Sequence, residues 1–552
     1  MAASERSRCL VLLCAGVAAC TPDFDALQHG LDDGGADAAV MDAGARDAGA
    51  RIDGGAVDGA PPDGGLRDGG DVDACAPSDD VCDGVDADCD GSTDEDAACG
   101  GGLACREGMC LRPGGALLAS RLIGATGPAA SRLRDRARAI ATLSGGGLVV
   151  AGDTEAPGTI DFGTGALTPT QADGFVVTFD RDLSATAAMR IGGGNFDDVR
   201  ATTTLGARFA IGGQVVGTVD LGAGAGGSGT TGYVAVYDSA ALTAHHASRR
   251  IGPPSAVTAI ARLGTDLVIV GTFATTLDLG APCVAVTPPT ATGHMFAARI
   301  TGGGVPVWCT AIPSTANASA NAVTVDDAGG VVLVGAFSGD LDLGPLGSLS
   351  AVGGFDAVAI QLDGGSGVIG WARAIGGSAV EEGTAVAALP GGDILVGGGY
   401  ASADASVDGM GLPATSTVTL YLARLTSAGA AVWVRVDHAG VSSRAWALAT
   451  DAAGRAVVHG EHTGLDLLGC PAIAGARDVF AARIDPADGQ CLWLTTFGGA
   501  EPEFAGGIAI DERTAVLAAS VNDGCTIGST NVTTVGDDPT GDTDIAVIAL
   551  QL

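Results

Sequence analysis

Gly367-Val368-Ile369-Gly370-Trp371-Ala372-Arg373-Ala374-Ile375-Gly376-Gly377 sets the frame for the whole chain, because shorter or degraded copies of it return at nearly even intervals. Copies that keep the Trp are Trp308-Cys309-Thr310-Ala311-Ile312, Trp433-Val434-Arg435-Val436 and Trp493-Leu494-Thr495-Thr496-Phe497-Gly498-Gly499. Copies without it are Ser248-Arg249-Arg250-Ile251-Gly252 and Ala188-Met189-Arg190-Ile191-Gly192-Gly193. A fixed period of this kind marks a repeat architecture.

Upstream of Trp371, the alternating segment Ala322-Val323-Thr324-Val325 meets a turn, Asp326-Asp327-Ala328-Gly329-Gly330, and then an apolar strand, Val331-Val332-Leu333-Val334-Gly335. A loop carrying Leu341-Asp342-Leu343-Gly344 follows, then a third strand over 355–363; the Trp371 segment is the fourth. The third strand recurs at 175–180, 233–238, 296–300 and 480–485, with Phe175, Val177 and Phe179, or Phe480, Ala482 and Ile484, on one face. Period two with a constant large face predicts that every copy buries it in the same way. Seven copies, opening near Arg121, Arg190, Arg250, Ala311, Ala374, Val436 and Thr496, recur about every 60 residues. Four antiparallel strands repeated seven times is the arithmetic of an all-β, seven-bladed β-propeller, a closed ring with only protected edges. The seventh copy has three strands and stops, whereas residues 116–124 carry the fourth-strand pattern at the other end of the array. Residues 117–121 are therefore expected to pair antiparallel with 545–550 and close the ring.

With their W-x-R-x-x-G-G and G-x-D-x-F-V signatures in phase, residues 121–552 resemble the bacterial seven-bladed propeller repeat often called SBBP. The period is too long for WD40 or kelch repeats. A Trp at one strand position of four blades reads as packing between blades rather than as a quinone-cofactor box.

The N-terminus carries an address. Arg6 and Arg8 precede an apolar run, residues 9–19, too short to span a bilayer but suited to a signal peptide. It stops at Val17-Ala18-Ala19-Cys20, which resembles a bacterial lipobox with Val17 in place of the commoner Leu. The resemblance implies cleavage before Cys20, lipidation of Cys20, stable anchoring by several acyl chains and, with Thr21 and Pro22 next, sorting to the outer membrane or cell surface. Signal peptide 1–19 is thus followed by a lipidated Cys and an Asp/Gly/Ala tether, 20–74, with nothing large enough to bury; disorder is expected there, with a mean span of about 40 Å.

A Cys-rich module, 75–112, precedes the propeller, 113–552. Its six Cys (Cys75, Cys82, Cys89, Cys99, Cys105, Cys110) read as a disulfide framework in an exported chain, with 15 pairings open. Inside it Asp86, Asp88 and Asp90 alternate ahead of Gly91 and Asp94, the first half of a calcium loop in which carboxylates converge on a hard cation; Asp83 and Asp96 flank them. The segment resembles the acidic metal-binding motif of the MopE type and, more loosely, the thrombospondin type 3 repeat. It departs from an EF-hand, because Ala97 stands where a bidentate Glu is needed. Calcium is the expected ion, and zinc is disfavoured where thiolates are oxidised.

Composition excludes several functions. Lysine is absent, and all 28 basic residues are Arg, so lysine Schiff-base chemistry and a P-loop are ruled out. The net charge of −36 repels nucleic acid; residues 21–99 hold 22 acids against three Arg, about half of that charge. No Gly-x-Ser-x-Gly elbow occurs. His459-Gly460-Glu461-His462 falls on a strand, where His462 faces away from the other two, so it reads as a strand variant rather than a metal site. Gly224-Ala225-Gly226-Gly227-Ser228-Gly229 fits G-x-G-x-x-G but precedes a strand and reads as a loop. Cys283 with Cys309, and Cys470 with Cys491, occupy matching regions of two blades and are expected to form one disulfide each, leaving Cys525 as a free thiol. The expected role is a non-enzymatic, monomeric, membrane-anchored propeller that binds an extracellular macromolecule or glycan. The alternatives are a hydrolase or lyase with its site at the channel mouth, or a structural spacer.

Overall fold

The computed structural model describes residues 104–106, 109–111, 114–126, 135–155, 158–283, 285–290, 292–438, 441–464, 466–471, 477–511, 513–522, 525–527, 530–531 and 543–552. Cys20, Cys75, Cys82, Cys89, Cys99 and the six candidate calcium ligands lie outside these residues. One compact unit takes in Gly114–Leu552; the other, Asp23–Pro113, contains a hairpin of Ala104–Arg106 and Met109–Leu111 whose register sets Cys105 opposite Cys110.

Gly114–Leu552 is a ring of seven four-stranded antiparallel sheets. Their inner strands are Arg136–Thr142, Asp198–Leu205, Ser255–Leu263, Ala318–Val325, Glu381–Ala388, Ser443–Thr450 and Phe504–Asp511, which number blades 1 to 7. Each inner strand touches the inner strands of both neighbouring blades around the whole circle. In each, the register slips by one residue near its start. The residue bulged out at blades 3, 4 and 5 donates to the next blade: Thr258 to the Ala320 carbonyl, Asn321 to Gly383 and Thr384 to Ala445. The bulges thereby stitch the inner ring together.

Burial explains why the outer strands can be so uniform. Each interface between neighbouring blades holds its own apolar cluster, seven in all among the described residues. The expected large face of the third strand is buried, but so is its opposite face: Ala172–Phe179 is buried throughout, since every sheet is sandwiched between two others. Phe175, Val177 and Phe179 pack with Ile545 and Val547 of blade 7, while Val176 packs with Phe209 and Tyr233 of blade 2. Each buried Phe of this kind contributes about 2–3 kcal/mol.

Trp is the docking residue between blades. Trp308 of blade 3 donates from Nε1 to the Gly364 carbonyl of blade 4 (2.9 Å), Trp371 of blade 4 to Ser427 of blade 5 (2.9 Å), and Trp433 of blade 5 to Pro486 of blade 6 (3.0 Å). Gly429, with φ +79°, lies under the Trp371 ring, and a Cβ there would sit 2.8 Å from it. The motif that frames the sequence is thus a head-to-tail coupling: Gly367 receives the indole of the preceding blade and Trp371 enters the next.

The loop bearing Asp-Leu-Gly is a short hairpin in most blades. In blade 4, Asp340–Asp342 pairs with Ser348–Ser350. The Asp Oδ1 accepts the N–H of the Gly two residues on: Asp161 from Gly163 (2.7 Å), Asp220 from Gly222 (2.8 Å), Asp278 from Gly280 (2.8 Å), Asp342 from Gly344 (2.9 Å). These Asp are turn formers. The intervening Phe162, Leu221, Leu279 and Leu343 are buried. In blades 5 and 7 the hairpin laps the preceding blade: Ser406–Val407 pairs with Ile369–Gly376 of blade 4, and Thr526–Ile527 with Cys491–Gly498 of blade 6.

Blade 7 is built from both ends of the chain. Leu117–Ile123 pairs antiparallel with Asp544–Gln551, Leu117 opposite Leu550 and Ile123 opposite Ile545. Cys283 is bonded to Cys309 and Cys470 to Cys491, each fastening the second-to-third-strand connection to the fourth strand of its own blade; Cys525 is a free, buried thiol. Cys283→Ser with Cys309→Ser removes a cross-link spanning 26 residues, and a loss of about 3 kcal/mol is expected in denaturant melts.

Candidate functional site

In an antiparallel meander the inner strand starts, the second strand ends, the third starts and the fourth ends at one end of the ring. That end carries the junction loops from each fourth strand to the next inner strand, and it is where the ring's buried acids sit. At the blade 1/2 junction Asp173 and Asp197 are buried, at 4/5 Asp356 and Glu381, at 6/7 Asp478 and Glu503, and at 7/1 Asp544 and Asp135. In each pair one acid opens a third strand and the other stands at or just before the following inner strand.

Local sequence makes room for them. A Cβ at Gly192, Gly376, Gly498 or Gly124 would overlap the carboxylate of Asp173, Asp356, Asp478 or Asp544, respectively. This is why Gly follows Ile or Phe at the end of these fourth strands. The next Gly supplies an amide: Gly193 donates to Asp197 Oδ2 at 2.7 Å. Blade 5 departs from this pattern, with Thr419 where blades 1, 4, 6 and 7 have Asp and a buried Asp437 where their fourth strands have Ile or Phe. The spacing Gly-Gly-x-x-x-acid (Gly192-Gly193 to Asp197, Gly376-Gly377 to Glu381, Gly498-Gly499 to Glu503) is the signal in the sequence that marks these pairs.

The junctions differ in how far the charge is compensated. Asp173 Oδ2 receives Arg190 Nη1 at 2.6 Å and Thr170 N at 2.8 Å, and Asp197 receives Gly193 and Val216 amides. Asp356 Oδ2 receives the Val352 amide at 3.0 Å, and Glu381 the Ser402 hydroxyl. At the 6/7 junction Asp478 Oδ1 and both oxygens of Glu503 lack a well-formed hydrogen bond among the described residues, the Gly499 amide lying close to Glu503. Burial pushes Asp478 up to about 6, and burial with the neighbouring Asp478 charge pushes Glu503 up to about 8. Burial raises Asp197, Asp356, Glu381 and Asp437 as well.

Nearer the channel, Arg138 pairs with Asp153, Arg200 with Asp198 (2.7 Å) and Arg444 of blade 6 with Glu382 of blade 5 (3.1 Å). Glu461 accepts the Ala505 amide of blade 7 at 3.1 Å and feels Arg477 and Arg444. Arg444–Glu382 and the Ala505–Glu461 hydrogen bond join neighbouring blades, whereas Arg138–Asp153 and Arg200–Asp198 each lie within one blade.

The His-Gly-Glu-His segment lies on the buried strand Ala456–His462. His459 sits between the Phe480 carbonyl (Nδ1, 2.7 Å) and the Ala518 carbonyl (Nε2, 3.3 Å), and burial lowers it and His462 to about 4. Both rings are neutral at pH 7. Among the described residues no group of three or more His, Cys, Asp or Glu is arranged to hold a metal ion. Cys525 is pushed up to about 12 by burial and by the Glu503 and Asp478 charges, which makes it a poor nucleophile.

No family model matches the sequence, and no curated protein is similar to it. Some solved structures resemble it weakly. The chain is similar to a quinohemoprotein alcohol dehydrogenase from Comamonas testosteroni (9% identity, 78% of this chain and 76% of that one, TM-score 0.36). It is similar also to Sqt1 from Chaetomium thermophilum (11%, 76% and 97%, TM-score 0.33) and to a putative oxidoreductase (glucose dehydrogenase) from Thermus thermophilus (13%, 78% and 100%, TM-score 0.30). At such identities the likeness says nothing about what this chain binds or converts.

Proposed function

We propose that the chain is an envelope lipoprotein, held by lipid on Cys20, that lifts a rigid propeller on an acidic tether and a calcium-loaded Cys-rich module and binds an extracellular macromolecule or glycan through its junction loops. One observation carries this reading. At the ring end where the junction loops gather, Phe196 is 67% exposed, Val352 74% and Val380 40%, while the acids beneath are buried and those of the 1/2 and 4/5 junctions are tied to backbone, Arg190 or Ser402. Rigid blades below and apolar tips above suit recognition by loops.

In the calcium-loaded module, Asp86, Asp88, Asp90 and Asp94 would be the ligands, with Asp83 and Asp96 beside them; alternate carboxylates repel one another unless a cation joins them. The test is retention of labelled envelope polysaccharides and surface proteins by cells displaying the full chain. Phe196→Ala with Val352→Asp is expected to weaken retention at least tenfold without altering the melting temperature. Shortening of a labelled polymer that survives both substitutions would instead make the propeller an enzyme.

A further inference from the structure

Two adjacent Arg line an open cleft at the outer side of the blade 2/3 junction. The cavity, about 420 Å³, is bounded by the blade 2 hairpin at Gly227 and Ser228, the blade 3 turn at Asp278 and Gly280, and the fourth-strand residues Arg249 and Arg250. Arg250 reaches toward the first wall: it donates from Nη1 to Thr231 Oγ1 (3.1 Å) and from Nη2 to the Val219 carbonyl (2.6 Å). Arg249 goes to the other side, donating from Nε to the Gly304 carbonyl (3.1 Å), with Nη1 beside Gly280.

Sequence supports the opening of this cleft. Gly227 has φ +98°, and a Cβ there would lie 2.7 Å from Arg250 Nη1. The Gly-rich stretch 224–229, which fits a dinucleotide fingerprint without the helix to serve it, is what admits the guanidinium to the wall.

Charge then defines the ligand. None of the ion pairs between described side chains involves Arg249 or Arg250, in a chain with 64 acids against 28 Arg. The oxygens they hydrogen-bond are neutral, so both keep spare N–H donors, three of five on Arg250, and the nearest acid that Arg250 feels is the buried Asp197. The one carboxylate in the wall, Asp278, is tied into its turn by the Gly280 amide. A planar fork with free donors matches a carboxylate or sulfate group. The volume is within the roughly 300–1,000 Å³ of small-molecule clefts and far exceeds a lone anion. Ser228 and Asp278 offer a hydroxyl and a carboxylate to sugar hydroxyls.

We propose that this cleft binds the carboxylate or sulfate group of an acidic glycan. It rests on the reading of the propeller as a binding module and names one ligand class for it.

Calorimetry on the full chain at low salt separates the possibilities, with a sulfated oligosaccharide, a uronate oligosaccharide, a neutral oligosaccharide of equal length and inorganic sulfate as probes. Binding of one or both acidic oligosaccharides, weakened at least tenfold in Arg250→Gln and in the exposed-loop variant Ser228→Glu, is expected. Ser228→Glu sets a competing carboxylate in the cleft without touching the core, so it stands even if Arg250→Gln disturbs the blade. Equal binding to wild type and both variants overturns the cleft but leaves loop-mediated recognition intact. Binding of inorganic sulfate alone overturns the glycan, and no binding of any probe overturns the site.

Discussion

Deleting residues 116–121 is expected to open the ring. Those residues supply most of the fourth strand of blade 7, and their removal strips the ladder from Asp544–Gln551 while the register partners Val547, Ile548 and Ala549 remain. About five backbone hydrogen bonds at roughly 0.5–1.5 kcal/mol each, with the loosened packing of the buried Ile123, put the loss on the order of 5 kcal/mol or more. The exposed edge adds a second consequence, association with other chains through the free strand. Thermal melts and size-exclusion chromatography should show a lower melting temperature together with dimers or larger species. A rescue makes the test specific: Gly115 N already donates to the Gln551 carbonyl at 2.7 Å and Gln551 N to the Ala116 carbonyl at 2.9 Å. The same strand transplanted after Leu552 through a tight turn should restore both readouts. Failure of that transplant would mean that residues 116–121 act elsewhere.

Glu503→Gln is expected to stabilise the protein at alkaline pH. Glu503 is fully buried beside Asp478, and Glu501 and Cys525 also feel or impose its charge. Its folded value, about 8, lies above the ordinary 4.5. For an acid raised in this way, the proton is held by the folded form. The stability linked to it is therefore fully present below about pH 4.5 and is lost as pH rises through 8. The shift of Asp478 to about 6 acts in the same direction over a lower range. The shift on Glu503 corresponds to a loss on the order of 4 kcal/mol by pH 9, or about 5 °C in melting temperature for a domain of this size. Gln keeps the shape and never ionises. Melts at pH 5.5 and 9 should show a smaller difference for Glu503→Gln than for wild type. Equal differences would place the alkaline loss at another group.

The repeat was legible because its strongest signals are local. Trp371 with Arg373, Ile375 and Gly376 lies on one strand, and a strand that recurs seven times announces a blade. Ring closure was legible for the same reason, since residues 116–124 keep the fourth-strand pattern without a first strand ahead of them. The short hairpins were less so: pairs of two residues, such as Ser406–Val407 with Met410–Gly411, leave no period to read. Third strands showed one large face, and only the sandwiching of every sheet between two others buries the second.

The buried acids escaped for a different reason. Asp478 and Glu503 belong to different blades, and neither is unusual in a chain so rich in Asp; the informative feature is a Gly pressed against a carboxylate across strands. The Arg249/Arg250 cleft likewise depends on a Gly-rich hairpin of one blade meeting a turn of the next. Cys283 and Cys309, Cys470 and Cys491 could be matched because the same blade positions held both pairs.

Hydrogen exchange at Leu117–Ile123 tests the shared blade, and with it the whole ring, most directly. Alternate amides of this segment should be protected to the same degree as those of Ile369–Gly376, the fourth strand of blade 4, and should open together with Asp544–Gln551. Exchange of every amide in Leu117–Ile123 at the rate of a free chain, with Asp544–Gln551 still protected, would contradict it.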